Sequence, residues 1–223
     1  MYSIFDILKE SLGPSSSHTT GPMVATLNFA KKLEKSKTLH DLLTIEIILY
    51  GSLAFTGHAH NTEKGIILGL EGYTPSTLNS LLITKTVDRV YKNNKINVLQ
   101  NQKIKFNPRE CIIFDTSTLP IEHSNTMEIC AYDKDKKEIL RKTYYSIGGG
   151  FIRVKGEREK FAKETQVPYE FNSAEDLLQL SSKNNLLIHE LTLANESVLL
   201  SASEVKKKIL SLWKVMENSI QTG

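Results

Sequence analysis

Cysteine is nearly absent: Cys111 and Cys130 are the only two in 223 residues. Two cysteines do not build the disulfide framework of a small secreted domain; they read as free, buried thiols in strands. They are also too few for an iron–sulfur cluster, which takes three or four thiolates. No run of about 18 apolar residues occurs, so no transmembrane helix is expected. The N-terminus carries Asp6 and Glu10 where a signal peptide would be basic and then apolar. A cytoplasmic protein is the default expectation. Charge of neither sign dominates, with 28 Lys and Arg against 25 Asp and Glu. The Lys206-Lys207-Lys208 run and the Asp133–Lys137 stretch read as a solvated helix face and a turn. No nucleic-acid motif accompanies them, so neither nucleic acid nor membrane is expected as a partner. There is no internal repeat, no Gly-x-Ser-x-Gly nucleophile elbow and no Gly-x-Gly-x-x-Gly opening a helix.

What remains is an ordinary globular composition, 40% hydrophobic and 24% charged, in a chain long enough to bury roughly 70% of its unfolded surface. Helices are expected over residues 3–10, from Pro22 to about Lys35, over 62–72, and over 81–91 after a restart at Thr74-Pro75-Ser76. Leu43–Tyr50 is β-branched and apolar and reads as a buried strand. Short segments near 96–99, 103–106, 110–115, 127–132 and 138–147 predict antiparallel strands, with a hairpin turn over Tyr132–Lys137. Gly148-Gly149-Gly150 interrupts the last strand, and residues 151–155 are placed to resume pairing. Beyond Pro168 the chain reads helical, with near and full capping boxes at Ser173/Asp176 and Ser201/Glu204. Val205, Ile209, Leu212 and Met216 form an apolar stripe suited to core or partner-helix packing. The expected fold class is α+β: a mostly antiparallel sheet with helices packed on it, then a helical C-terminal segment.

The densest chemistry lies in Gly13-Pro14-Ser15-Ser16-Ser17-His18-Thr19-Thr20-Gly21-Pro22. Small turn formers, hydroxyls and one imidazole precede an amphipathic run in which Pro22 suits the first helical position. Unpaired N–H groups and the helix dipole there attract a carboxylate or phosphate. The plain alternative is an elaborate N-cap.

Histidine is scarce, six in all. His18, His58, His60 and His123 fall in polar loops, where an imidazole can act as acid, base or donor near neutral pH. His40 and His189 fall in helical-looking segments and read as surface or packing residues. His58 and His60 would share a face of a strand and suit a metal, but no ligand set completes the site nearby. Ser15–Ser17 beside His18 raises a Ser–His hydrolase, yet a base held across space and an oxyanion hole are missing from the pattern. The hydroxyls fit ligand hydrogen bonding better. Gly148 and Gly149 let backbone approach a ligand closely, with Ser146 beside them as a donor to a carboxylate.

The Gly13–Pro22 decapeptide, preceded by Ser3-Ile4-Phe5-Asp6, resembles the signature of the β domain of iron–sulfur L-serine dehydratases (L-serine ammonia-lyases). Three further segments agree in order: Tyr50-Gly51-Ser52-Leu53 with Thr56-Gly57-His58-Ala59-His60-Asn61-Thr62; Leu119-Pro120 with His123 and Asn125; and Thr143-Tyr144-Tyr145-Ser146-Ile147-Gly148-Gly149-Gly150-Phe151. The first and last segments are the specific ones.

The resemblance implies a domain at 1–165 similar to the substrate-binding regulatory domain of phosphoglycerate dehydrogenases, and a linker with the start of a truncated catalytic domain at 166–223. It implies deamination of L-serine to pyruvate and ammonia. It makes His18, His60 and His123 candidates for proton handling or substrate orientation. Ser15, Ser16, Ser17, Thr19, Asn61, Asn125, Ser146, Gly148 and Gly149 would then be the substrate-binding groups. The family's [4Fe-4S] cluster would be ligated outside this chain, which by itself is expected to hold no metal and to be inactive. The implied partners are L-serine, a missing or separate cysteine-containing catalytic domain and a second copy of the chain. The competing reading is a non-enzymatic regulatory module that binds serine or a small anion.

Overall fold

The structure, a computed structural model, describes residues 3–13, 15–75, 78, 80–120, 122–158 and 166–222. The chain forms two compact units, Ser11–Glu159 and Met1–Glu10 with Lys160–Gly223.

In the larger unit, helix α2 (Gly21–Lys35) leads through a short turn into strand β1 (Leu42–Gly51). The alternation of β1 buries Leu42, Ile45, Ile47 and Leu49 and turns Glu46, Ile48 and Tyr50 to the other face. Helices α3 (Ser52–Thr56), α4 (Thr62–Leu70) and α5 (Ser80–Asn93) follow, then a hairpin of β2 (Lys95–Val98) and β3 (Gln102–Lys105). The restart expected at Thr74-Pro75-Ser76 runs into residues 76, 77 and 79, which lie outside the described residues.

The expected strand at 110–115 begins later. Asn107 caps a one-turn helix α6 (Pro108–Cys111), and β4 is Ile112–Asp115. Cys111 therefore ends a helix and is half-buried, whereas Cys130 is buried in a strand as expected. Asn107 and Pro108, a cap residue followed by a first-turn proline, start a helix where the apolar residues alone suggested a strand.

Strands β5 (Asn125–Asp133), β6 (Glu138–Gly148) and β7 (Phe151–Val154) complete a five-stranded sheet in the order β4-β1-β5-β6-β7. β1 pairs in parallel with β4, and every other pairing is antiparallel. The β5–β6 turn falls where Asp133 Oδ1 accepts from the Asp135 and Lys137 N–H groups, both at 2.9 Å.

The core lies between the sheet and α2 with α4. Met23, Phe29, Ala30 and Leu33 of α2 and Ile66, Ile67, Leu68 and Leu70 of α4 are wholly buried against it. The two helices touch closely: a Cβ on Gly69 would stand 2.1 Å from the Met23 carbonyl oxygen. The buried Glu71 carboxylate ties the end of α4 to the Asn97 N–H at 2.9 Å and to the Arg89 guanidinium.

The smaller unit is helical among its described residues. Helix α1 is only Ile4–Ile7, capped by Ser3 and Asp6, and Ser3 Oγ donates to Glu196 at 2.7 Å. Helices α7 (Ala174–Asn184), α8 (Ile188–Glu196) and α9 (Ala202–Thr222) follow. The two capping residues read from sequence both act: Ser173 Oγ accepts from Asp176 N–H at 3.1 Å, and the Ser201/Glu204 box is reciprocal. Of the stripe on α9, Val205 is buried, while Ile209 is 41% and Met216 54% exposed. No described helix is long and apolar enough to cross a membrane.

Candidate functional site

The Ser-rich segment is not a loop. Ser16–Thr20 form a π-helical turn that runs directly into α2, and Gly21 N–H donates back to the Ser16 carbonyl. Pro22 thus sits inside a continuous helix, and the capping position moves upstream to Ser15. Ser15 Oγ accepts from His18 N–H at 3.0 Å, and its carbonyl accepts from Thr19 N–H at 3.0 Å. The extra residue of the wide turn brings His18 round to face the end of β1.

His18 meets a hydroxyl at each ring nitrogen: Ser17 Oγ lies 2.9 Å from Nδ1 and Ser52 Oγ 2.9 Å from Nε2. A hydrolase triad would place a carboxylate on one of these nitrogens, so the geometry is that of an oriented imidazole. Burial, then the neighbouring His60, lowers the His18 pKa from its ordinary 6.5, opposed by Ser52. His18 is neutral at physiological pH.

The His60 ring lies 4.9 Å from that of His18, centroid to centroid. His60 belongs to a turn at Gly57–Asn61, not to a strand, so His58 and His60 part company. His58 stacks on Phe114 at 3.8 Å and pairs with Glu63 at 2.6 Å. His60 Nδ1 lies 2.8 Å from the Thr56 carbonyl. A carbonyl only accepts, so Nδ1 carries a hydrogen and Nε2 is the nitrogen left free to face other groups. Asn61 contributes through its backbone, taking the left-handed φ of +57° that opens α4.

Two buried threonines hold the histidine segments together. Thr19 Oγ1 donates to the His60 carbonyl and Thr62 Oγ1 to the His18 carbonyl, each at 2.6 Å. Ser146 Oγ on β6 donates to the Ser17 carbonyl at 2.6 Å. Gly149 N–H reaches Ser16 Oγ at 3.3 Å. As the sequence suggested, the glycines interrupt the last strand and pairing resumes after them; the interruption is a reversal of the chain. Gly148 pairs with Phe151, leaving Gly149 and Gly150 as a two-residue hairpin turn at φ +60° and +74°. Gly148 and Gly149 thereby shape the wall beside Ser16.

His123 stands on the other side of Ser52. An open cleft of about 710 Å³ is lined by Gly51, Ser52, Phe55, Leu119, Glu122 and His123, among others. His123 Nδ1 accepts from Asn125 N–H at 3.0 Å, so Nε2 of its neutral ring carries the hydrogen. Asn125 Nδ2 donates to the Ser146 carbonyl at 3.2 Å, while its buried Oδ1 has no partner among the described residues. His40 and His189 are exposed.

Ser52 is the site residue that reading the sequence for chemistry passed over. It joins His18 to the cleft. Its signal was Gly51, whose φ of +56° turns the chain sharply out of β1 and whose Cβ would stand 2.4 Å from the Ser124 carbonyl.

Among the described residues, no group of three or more His, Cys, Asp or Glu is gathered to hold a metal. Burial pushes both the Cys111 and Cys130 thiols up, away from the thiolate form that ligates iron. The residues of this chain do not fit a [4Fe-4S] cluster.

Two oriented imidazoles, His18 and His60, thus lie among hydroxyls beside an open cleft, an arrangement able to recognise a small polar ligand. The chain belongs to the serine dehydratase beta chain family, whose profile matches residues 3–157. It is 41% identical over 228 residues to an L-serine dehydratase of Escherichia coli, and 39% identical over 225 to one of Haemophilus influenzae. An L-serine dehydratase of Streptomyces coelicolor is 35% identical over 225 residues. Those alignments take in 99–100% of this chain but 49% of each relative, so the chain spans about half their length.

Proposed function

We propose that this chain supplies the β domain of an L-serine dehydratase, a cytoplasmic lyase that converts L-serine to pyruvate and ammonia. In this reading residues 1–165 are the β domain, and 166–223 lead toward a cysteine-bearing catalytic domain that holds the [4Fe-4S] cluster. The observation that carries the reading is the 4.9 Å pairing of His18 with His60 beside the Ser52 cleft, in a member of this family.

The roles follow from the ring hydrogens. His60, donating from Nδ1, offers Nε2 as a proton acceptor. His123, accepting at Nδ1, offers Nε2–H as a donor. His18, kept neutral by burial, orients hydroxyls without adding charge. Ser15, Ser16 and Ser17 set the polar wall, buried Thr19 and Ser146 hold its backbone from behind, and Asn125 Oδ1 is an acceptor in want of a donor, such as a substrate ammonium.

The test is to supply the cysteine-bearing half of a relative in trans, reconstitute iron and sulfide without oxygen, and measure pyruvate from L-serine. Activity that needs both chains and falls in His18→Ala and His60→Ala supports the reading. Serine binding by this chain with no activity in the mixture overturns it in favour of a regulatory module.

A further inference from the structure

Glu122, one residue before His123, is tied at both carboxylate oxygens. The Tyr145 hydroxyl donates to Oε2, and the Lys155 ammonium stands 2.5 Å from Oε1. An exposed Lys–Glu pair contributes little alone. The tyrosine changes this, because its ring is 2% exposed and cannot wander. In the sheet Tyr145 faces Thr126 on β5 and Arg153 on β7, whose guanidinium lies 4.7 Å over the ring. Thr126 Oγ1 in turn donates to the His123 carbonyl, and the His123 ring lies 6.1 Å from that of Tyr145. Lys155 and Tyr145 hold the Glu122 carboxyl below the usual carboxylate range, and burial with Glu122 pushes the Tyr145 hydroxyl up. Ionised acceptor and protonated donor therefore coexist across the neutral range.

We propose that Glu122 is a positioning residue, fixing the backbone beside His123 to the β6–β7 platform so that His123 keeps its Nδ1 acceptor contact and presents Nε2–H at the cleft. The use of that N–H rests on the β-domain reading; its positioning does not. Both adjacent residues line the cleft with Ser52, and Glu122 is the one anchored to β6 and Lys155.

Imidazole tautomers read this directly. In long-range ¹H–¹⁵N spectra of the ¹⁵N-labelled 223-residue chain at pH 8, His123 should show one unprotonated Nδ1 and one protonated Nε2. Glu122→Ala should move both resonances toward a common averaged position, with His18 and His60 unmoved. Glu122→Gln keeps one acceptor oxygen for Lys155 or Tyr145 but sets an NH2 donor in place of the other, and should fall between the wild type and the alanine variant. Tyr145→Phe removes one oxygen and should cause partial averaging; it carries the test if Glu122→Ala does not fold. A fixed His123 tautomer in the alanine variant, or in Tyr145→Phe alone where alanine unfolds, overturns the proposal. In the two-chain assay Glu122→Ala should lower kcat more than it raises KM. A wild-type mixture without pyruvate would sink the β-domain reading while the spectra still decide the role of Glu122.

Discussion

Thr19 and Thr62 each hold the backbone of the other's histidine: Thr19 Oγ1 donates to the His60 carbonyl and Thr62 Oγ1 to the His18 carbonyl, both at 2.6 Å. Both threonines are wholly buried. Valine keeps their shape and removes the donor, taking one hydrogen bond from a half-buried histidine's carbonyl. Thr19→Val and Thr62→Val should each cost about 1–3 kcal/mol in chemical denaturation. Because the two bonds share one junction, the double variant should lose less than the sum. Strict additivity would show that they do not act together.

The half-buried His18 makes stability depend on pH. Its folded pKa lies below 6.5, so the unfolded chain binds its proton more readily than the folded one. This contribution is complete above pH 6.5 and is lost as pH falls through the folded value. Melting temperature should therefore drop on acidification through that window, and His18→Gln should flatten this part of the profile. An unchanged slope in the variant would assign the effect elsewhere.

Ser52 links His18 Nε2 to the cleft. Ser52→Ala should lower stability by no more than about 1 kcal/mol, the net worth of an ordinary hydrogen bond. In the two-chain assay it should lower kcat about tenfold, equivalent to about 1.4 kcal/mol of barrier. A large stability loss with normal kcat would make Ser52 purely structural.

The turn at Gly149-Gly150 needs left-handed backbone at both residues. An alanine at Gly150 would also meet Thr20 Cγ2 at 3.0 Å. Gly150→Ala should destabilise by about 1–2 kcal/mol from backbone strain, with the contact adding to it. Thermal melts of Gly148→Ala, whose Cβ would meet nothing within 4 Å, separate strain from crowding.

Anaerobic iron and sulfide added to this chain alone should produce no broad charge-transfer absorbance, because two thiols with raised pKa do not make a cluster site. Cys130 should also react with a thiol reagent far more slowly than free cysteine does. Stable cluster absorbance on the isolated chain would contradict the ligand argument.

Much of the scaffold was legible locally. The alternation of β1, the polar turn after Asp133 and the caps at Ser173 and Ser201 are set by neighbours a few residues away, and they stand where the sequence puts them. The four loop histidines were legible as candidates because imidazoles among Gly, Ser and Asn have few core-packing uses. The π-helical turn at Ser16–Thr20 was not, because a turn and an N-cap draw on the same residues. Gly148–Gly150 was legible as an interruption of the last strand, but that it reverses the chain is decided only by the pairing of Gly148 with Phe151.

The sequence by itself determined the α+β composition, the edges of most elements and the family, since periodicity, caps and signature segments are written in contiguous residues. Only the tertiary structure decided that His18 and His60 lie side by side, that His58 turns away to Phe114, and that Ser52 bridges to the cleft. Those relations join residues tens of positions apart. They are fixed by the close packing of α2 on α4 and by hydrogen bonds from buried threonine hydroxyls to backbone carbonyls, which no local pattern specifies.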